Sequence, residues 1–168
     1  MQSGETPKDR MEIRKPFADI VPFAAELAPH ARLFGLDVGT KTIGLALSDT
    51  RRTIASGFDT LMRTKFAADA RRLLDLAAQH DVGGFVIGLP RNLDGSEGPR
   101  AQAVRAFAAN LSRLTQSPML LWDERLTTVA AERALLEADA SRRQRDRVID
   151  KVAATLILQG ALDRLGRL

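Results

Sequence analysis

Residues 33–49 read LFGLDVGTKTIGLALSD. Leu33 to Leu36 is a short, mostly apolar run that ends on an acid, Asp37, and a turn, Val38-Gly39-Thr40. That is the pattern of a buried strand with a polar end. TIGLALSD (42–49) and TIAS (53–56) predict two further strands, joined by the polar turn Thr50-Arg51-Arg52. Three strands with short connections predict an antiparallel meander.

Outward toward the C-terminus the period changes. Phe66, Ala70, Leu73, Leu74 and Ala77 recur at helical spacing over 65–79. GFVIGLP (84–90) predicts a buried strand closed by Pro90, followed by the loop PRNLDGSEGP. A helix from about 99 to 114 carries Val104, Phe107, Ala108, Leu111 and Leu114 on one stripe, and PMLLWDE (118–124) predicts another strand ending in acids. Helices are expected near 127–138 and 148–165, the first capped by Thr127 or Thr128. The order β-β-β-α-β-α-β-α-α defines an α/β domain. Its strand–helix alternation requires right-handed crossovers and a partly parallel, mixed sheet flanked by helices.

Outward toward the N-terminus, residues 1–32 hold four of the seven prolines and balanced charge. They are expected to form an extension to a domain spanning 33–168, with a short helical turn near 17–28 and an outermost ten residues without fixed structure. Met11 is an alternative start.

The chain of 168 residues suits one domain with a full core. The absence of cysteine excludes disulfides, thiolate metal sites and cysteine nucleophiles, and His30 and His80 are far apart in sequence. A metal would be held by carboxylate oxygens, which points to Mg2+ or Mn2+. No run approaches the roughly 20 apolar residues that span a membrane, and no apolar signal core is present. A cytoplasmic protein is expected, without membrane association. Arginine makes up 20 of the 25 basic residues, and the net charge of +4 permits a nucleic-acid partner without requiring one.

Three acids stand where chemistry is expected. Asp37 ends the first strand, Glu124 ends PMLLWDE, and Asp150 sits on the last helix beside the apolar positions Ile149, Val152, Ala153, Leu156 and Ile157. Carboxylates gathered at the carboxyl ends of strands repel one another, and divalent cations relieve that repulsion. Each acid has a plainer reading: Asp37 as a turn cap, Glu124 as a surface ion pair with Arg125, Asp150 as a helical partner of Arg147 or Lys151. Asp123 is the neighbouring alternative to Glu124, and strand alternation sends the two to opposite faces.

Candidate phosphate contacts are Lys41, Arg91, Asn92, Arg100 and Arg125, with Arg142, Arg143, Arg145 and Arg147 in SRRQRDRVIDK (141–151). Trp122 is the only tryptophan and tyrosine is absent, so exposed aromatic platforms for bases are not expected.

LFGLDVGTKTIGLALSD, FVIGLPRNLDGSEGP, LLWDERLTT and VIDKVAATLILQG resemble, in order and spacing, four blocks of the YqgF (RuvX) family. Its bacterial members are described as Holliday-junction-resolvase-like proteins and pre-16S ribosomal RNA nucleases. The resemblance covers about 33–165 and implies an RNase H-like fold, a five-stranded mixed sheet with helices on both faces. It also implies that Asp37, Glu124 and Asp150 match the family's acidic active-site positions, and it favours Glu124 over Asp123.

The expected function is metal-dependent cleavage of structured nucleic acid, at the 5′ end of precursor 16S ribosomal RNA before a four-way DNA junction, by a monomer or weak homodimer. Two other classes compete. A non-cleaving RNA-binding assembly factor would keep the fold. An ATP-binding phosphotransferase is suggested by Asp-Val-Gly-Thr, which also resembles the first phosphate loop of the actin and sugar-kinase superfamily. Those proteins need two such domains, and this chain has room for one.

Overall fold

The computed structural model describes residues 14–127 and 142–168, and only the helical backbone of 142–148. The run Arg32–Val38 forms β1, the middle strand of a five-stranded sheet. On one side it pairs antiparallel with β2 (Thr42–Ser48), which pairs antiparallel with β3 (Ala55–Met62). On the other it pairs parallel with β4 (Val82–Leu89), which pairs parallel with β5 (Met119–Asp123), giving the order β3-β2-β1-β4-β5. The meander and the parallel half-sheet are those expected from the sequence.

Alternation along β1 builds two cores. Phe34, Leu36 and Val38 face one side, where they pack with α2 (Phe66–Gln79) and α3 (Pro99–Ser112). Leu33, Ala46, Val86, Leu120 and Trp122 face the other, against α4 (Arg142–Leu165). That helix lies close to the strands because the sheet presents small residues to it. A Cβ at Gly35 would stand 2.7 Å from both the Ala154 carbonyl oxygen and the Leu158 Cβ. Burying a Leu158-sized side chain on such a surface contributes about 2 kcal/mol, provided nothing holds the helix away.

Two elements differ from expectation. β3 runs to Met62 rather than ending at 56, with an irregularity opposite Leu45 and Ala46 that sets Phe58 between paired positions. Phe58 packs its ring 5.4 Å from Phe34 and 4.8 Å from His80, so the break in alternation feeds the core. α4 starts at Arg142, not near 148, because arginine and glutamine are strong helix formers even where the apolar stripe has not begun. The helix expected at 127–138 lies outside the described residues, apart from Thr127, whose hydroxyl donates to the Glu124 carbonyl oxygen at 3.3 Å.

Part of the N-terminal segment is packed. Phe17 donates its N–H to Met119 O at 2.7 Å and accepts from Leu121 N–H at 2.8 Å, which covers the outer edge of β5. Asp19 caps α1 (Ile20–Ala25) by accepting from Val21 N–H, and Phe23 is fully buried against the α4 side of the sheet. The outermost ten residues, Met11 among the neighbours, lie outside the described residues.

Candidate active site

Asp37 is the last polar residue of β1, on the same side as Leu33 and Gly35, and is 5% exposed. Its partner across the antiparallel ladder is Gly44. With no side chain there, the Asp150 main chain comes down on β2: a Cβ at Gly44 would stand 2.6 Å from the Asp150 carbonyl carbon. The Thr42 hydroxyl, two residues before Gly44, donates to Asp150 Oδ2. A glycine and a threonine on β2 therefore set the height and orientation of the acid carried by α4.

The parallel neighbour of β1 repeats the arrangement. Leu36 pairs with Ile87, which brings Gly88 alongside Asp37. A Cβ at Gly88 would stand 2.7 Å from Glu124 Oε1, so the Glu124 carboxylate occupies the space over that glycine. Asp37 thus lies between two glycines, one beneath Asp150 and the other beneath Glu124. All three acids sit at the carboxyl end of β1 and β4, on the face covered by α4, and each has an electrostatic or hydrogen-bonding interaction. They do not close into a single cage: among the described residues no three carboxylate or imidazole groups are close enough to hold one ion together.

β5 ends at Asp123, one residue before the expected end, and Glu124 opens the 3-10 turn Glu124–Leu126; Asp123 caps that turn and goes to the opposite face. Its carboxylate accepts from Arg125 Nη2 at 2.7 Å and from Arg125 N–H at 3.0 Å, and lies 3.9 Å from Arg91 Nη1. The Arg125 side-chain hydrogen bonds hold the Asp123 carboxyl below the ordinary carboxylate range, against a smaller opposing effect of burial. Arg91 also lies 3.6 Å from Glu97, whose two carboxylate oxygens accept from Arg105 Nε and Nη2. Arg91 and Arg125 are thus tied to acids of the loop and the β5 end, and Asn92 uses its amide to donate to Ser96 Oγ at 3.0 Å. Lys41 is exposed. With Gly39, Thr40, Thr42, Arg100 and Asp150 it lines an open cavity of about 370 Å³. Arg142, Arg143, Arg145 and Arg147 occupy the first two turns of α4, and their side chains lie outside the described ones.

Sequence reasoning missed Arg63. Its N–H donates to Lys41 O at 2.8 Å and its Nη1 to Gly39 O at 2.8 Å, so one residue holds two carbonyls of the turn after Asp37. The guanidinium lies 5.5 Å from the Phe107 ring centre and 3.9 Å from the buried Asp69 carboxylate. That carboxylate in turn accepts from the Thr64 N–H and hydroxyl. The only signal for this role is the position of Arg63 just beyond β3, which the shorter strand expectation concealed.

The sheet and its helices are those of RuvC-like resolvases of the RNase H class. T. thermophilus RuvC, solved in complex with a Holliday junction substrate, superimposes with a TM-score of 0.51 over 82% of this chain and 97% of that chain, at 11% identity. That likeness is one of fold. The profile of the RuvX family, described as Holliday junction resolvase, matches residues 31–164. The chain belongs to this family. A Ruegeria pomeroyi relative named "Putative pre-16S rRNA nuclease" is 60% identical over 146 residues, covering 87% of this chain and 95% of its own length. A Jannaschia relative of the same name is 59% identical over 155 residues, covering 90% of this chain and 97% of its own.

Proposed function

We propose that the chain is a divalent-metal-dependent endonuclease acting in the cytoplasm on structured RNA, at the 5′ end of precursor 16S ribosomal RNA. The observation that carries this reading is the grouping of Asp37, Glu124 and Asp150 around Gly44 and Gly88 on one face. The names of the family's members supply the substrate.

The donor chemistry fits Mg2+ or Mn2+. Every candidate ligand is a hard oxygen, three carboxylates with the Thr42 hydroxyl behind one of them. Mg2+ commonly takes one or two carboxylates and completes its shell with water and substrate phosphate, so a closed protein cage is not needed. A divalent ion held there would supply Lewis-acid activation of a water and charge stabilisation of the leaving oxygen. Asp37, Glu124 and Asp150 would supply its ligands one or two carboxylates at a time, water and substrate phosphate completing the shell, while Thr42 orients Asp150. Lys41 and Arg100 bind phosphate at the cavity rim, and Arg63 fixes the turn that carries Lys41. Arg91, Asn92, Arg125, Arg142, Arg143, Arg145 and Arg147 contact the nucleic-acid backbone, which carries affinity without reading sequence.

A four-way DNA junction is the second reading, favoured by the family description. Cleavage of a labelled precursor RNA leader and a synthetic DNA junction, side by side with Mg2+ or Mn2+, tests both. Metal-dependent loss of the RNA alone supports the ribosomal reading, and symmetric nicking of the junction alone replaces it. Binding of RNA without cleavage of either substrate moves the protein to a non-cleaving assembly role.

A further inference from the structure

Asp150 is followed on α4 by Lys151, and the two residues lie over neighbouring strands. Asp150 comes down on Gly44 of β2, whereas a Cβ at Gly57 of β3 would stand 3.6 Å from the Lys151 Cβ. Lys151 therefore lies on the same face as the acids, one strand further out. Thr42, which orients Asp150, is the ladder partner of Met62, so Met62 ends β3 on that face as well. Met62 is 58% exposed. With Asp59, Thr60 and Lys151 it lines an open cavity of about 260 Å³, one residue along α4 from the cavity that Lys41 and Asp150 line.

Cations collect where β3 ends. Arg72 Nη1 donates to Met62 O at 3.1 Å, using one of the five N–H donors of its guanidinium. Lys65, three residues beyond Met62, is exposed, as is Lys41. Lys41, Lys65, Arg72 and Lys151 make no ion pair among the described residues. Of the acids nearby, Asp69 is buried beside Arg63, and Asp75 offsets Arg71 one turn away on α2. Asp37, Glu124 and Asp150 carry the charge that a divalent ion offsets. Asp59 is left to face these cations, an excess that suits a polyanion. An added β-strand fits the place poorly. The Thr60 N–H donates to Asp59 Oδ1 at 2.7 Å and the Met62 carbonyl is taken by Arg72, so the chain's own side chains cover the edge.

We propose that the nucleic-acid strand runs from the acids over the end of β3, with Lys151, Lys65 and Arg72 holding the phosphates on that side of the cleaved one. Such contacts position a strand without reading its sequence. This course rests on the nuclease reading and gives the direction in which the substrate leaves the site.

The test is binding of a labelled precursor RNA leader and of a four-way DNA junction to the full chain carrying Asp37→Asn, across a salt series with Mg2+ present. Adding Lys65→Met, Arg72→Met and Lys151→Met together should weaken binding about tenfold or more. It should also flatten the slope of log affinity against log salt by about two, three contacts at about 0.7 each on a single strand. The charge-keeping set Lys65→Arg, Arg72→Lys and Lys151→Arg should bind as the parent chain does. Removing three exposed cations elsewhere, with Arg113→Met, Arg164→Met and Arg167→Met, should change the slope far less. All three sets should melt within a few degrees of the parent, because the side chains are at the surface. Flattening on the RNA, the junction or both upholds the course and shows which polymer takes it. An unchanged slope in the first set, equal flattening in the third, or no binding of either polymer by the parent would each overturn it. Flattening as expected, with no cleavage of either by the Asp37-intact chain, would uphold the phosphate contacts and sink the nuclease reading.

Discussion

Gly44 of β2 lies against the main chain of Asp150 on α4, at a distance that leaves no room for a methyl group. The same glycine is the ladder partner of Asp37. One position without a side chain therefore determines how near the helix-borne acid comes to the strand-borne one. Gly44→Ala should push α4 outward, costing about 1–3 kcal/mol by overpacking. Urea unfolding would read that loss. Cleavage should fall at least tenfold under conditions where the variant is fully folded. A variant that is less stable yet cleaves like the wild type would mean the spacing of Asp37 and Asp150 is not functional.

Asp123 and Glu124 are adjacent but face opposite sides. Glu124→Gln should abolish cleavage, on the order of a hundredfold or more, because its carboxylate lies with Asp37 and Asp150. Asp123→Asn should be several-fold weaker at most, through loss of the Arg125 and Arg91 contacts that brace the loop. Single-turnover rates on one RNA would separate them. Equal effects, or a larger one at Asp123, would contradict the assignment.

Arg63 is a positioning residue in this account, acting through the carbonyls of Gly39 and Lys41. Arg63→Ala keeps the main-chain bond to Lys41 but loses the guanidinium bond to Gly39 and the contact with Phe107. Expected is a fall in kcat of about tenfold or more with a smaller change in KM, since the turn is misplaced rather than removed. Added guanidinium ion at millimolar concentration should recover part of the rate. A loss confined to KM, with no recovery, would make Arg63 a substrate contact instead.

Asp49 gives the fold a measurable response to acid. Its carboxylate accepts from Thr53 N–H at 2.8 Å, Ile54 N–H at 3.0 Å and the Thr53 hydroxyl at 2.8 Å. The Ile54 and Thr53 backbone bonds lower its pKa from 3.8 to about 2. Because folding lowers the pKa, the contribution is complete above the unfolded value and disappears as pH falls through about 2. Asp49→Ala should cost about 1 kcal/mol at neutral pH, discounted for solvent screening. Unfolding midpoints of the two proteins should converge as the solution is acidified toward that pH. A difference that stays constant through the acid range would show that the carboxylate charge does not brace the turn.

Much of this arrangement was readable before the structure. β1, β2, β4 and β5 carry uninterrupted apolar runs, so their existence and their polar ends followed from pattern, with Asp37 and Glu124 placed at those ends. Alternation put Asp123 and Glu124 on opposite faces and the family resemblance favoured Glu124, whereas the end of β5 at Asp123 and the 3-10 turn that Glu124 opens were not read. The second half of β3 was hidden because it is an edge strand paired only to β2, and Gly57, Phe58 and Asp59 break its period of two. The start of α4 was hidden because its first turns carry charge rather than apolar spacing. The uses of Gly44 and Gly88 were not readable at all, since a glycine's function there depends on which acid from a distant segment comes to rest on it. The same holds for Arg63, whose partners are main-chain carbonyls and leave no trace in residue type.

The proposed function requires Asp37, with Glu124 and Asp150, to hydrolyse RNA with a divalent ion. Its most direct test is cleavage of the precursor RNA leader by the wild type and by Asp37→Asn, across a titration of Mg2+ or Mn2+. Metal-dependent cleavage by the wild type and none by the variant is expected, with both proteins melting within a few degrees of each other. Cleavage by Asp37→Asn at the wild-type rate, or cleavage by the wild type that persists in excess chelator, would contradict it.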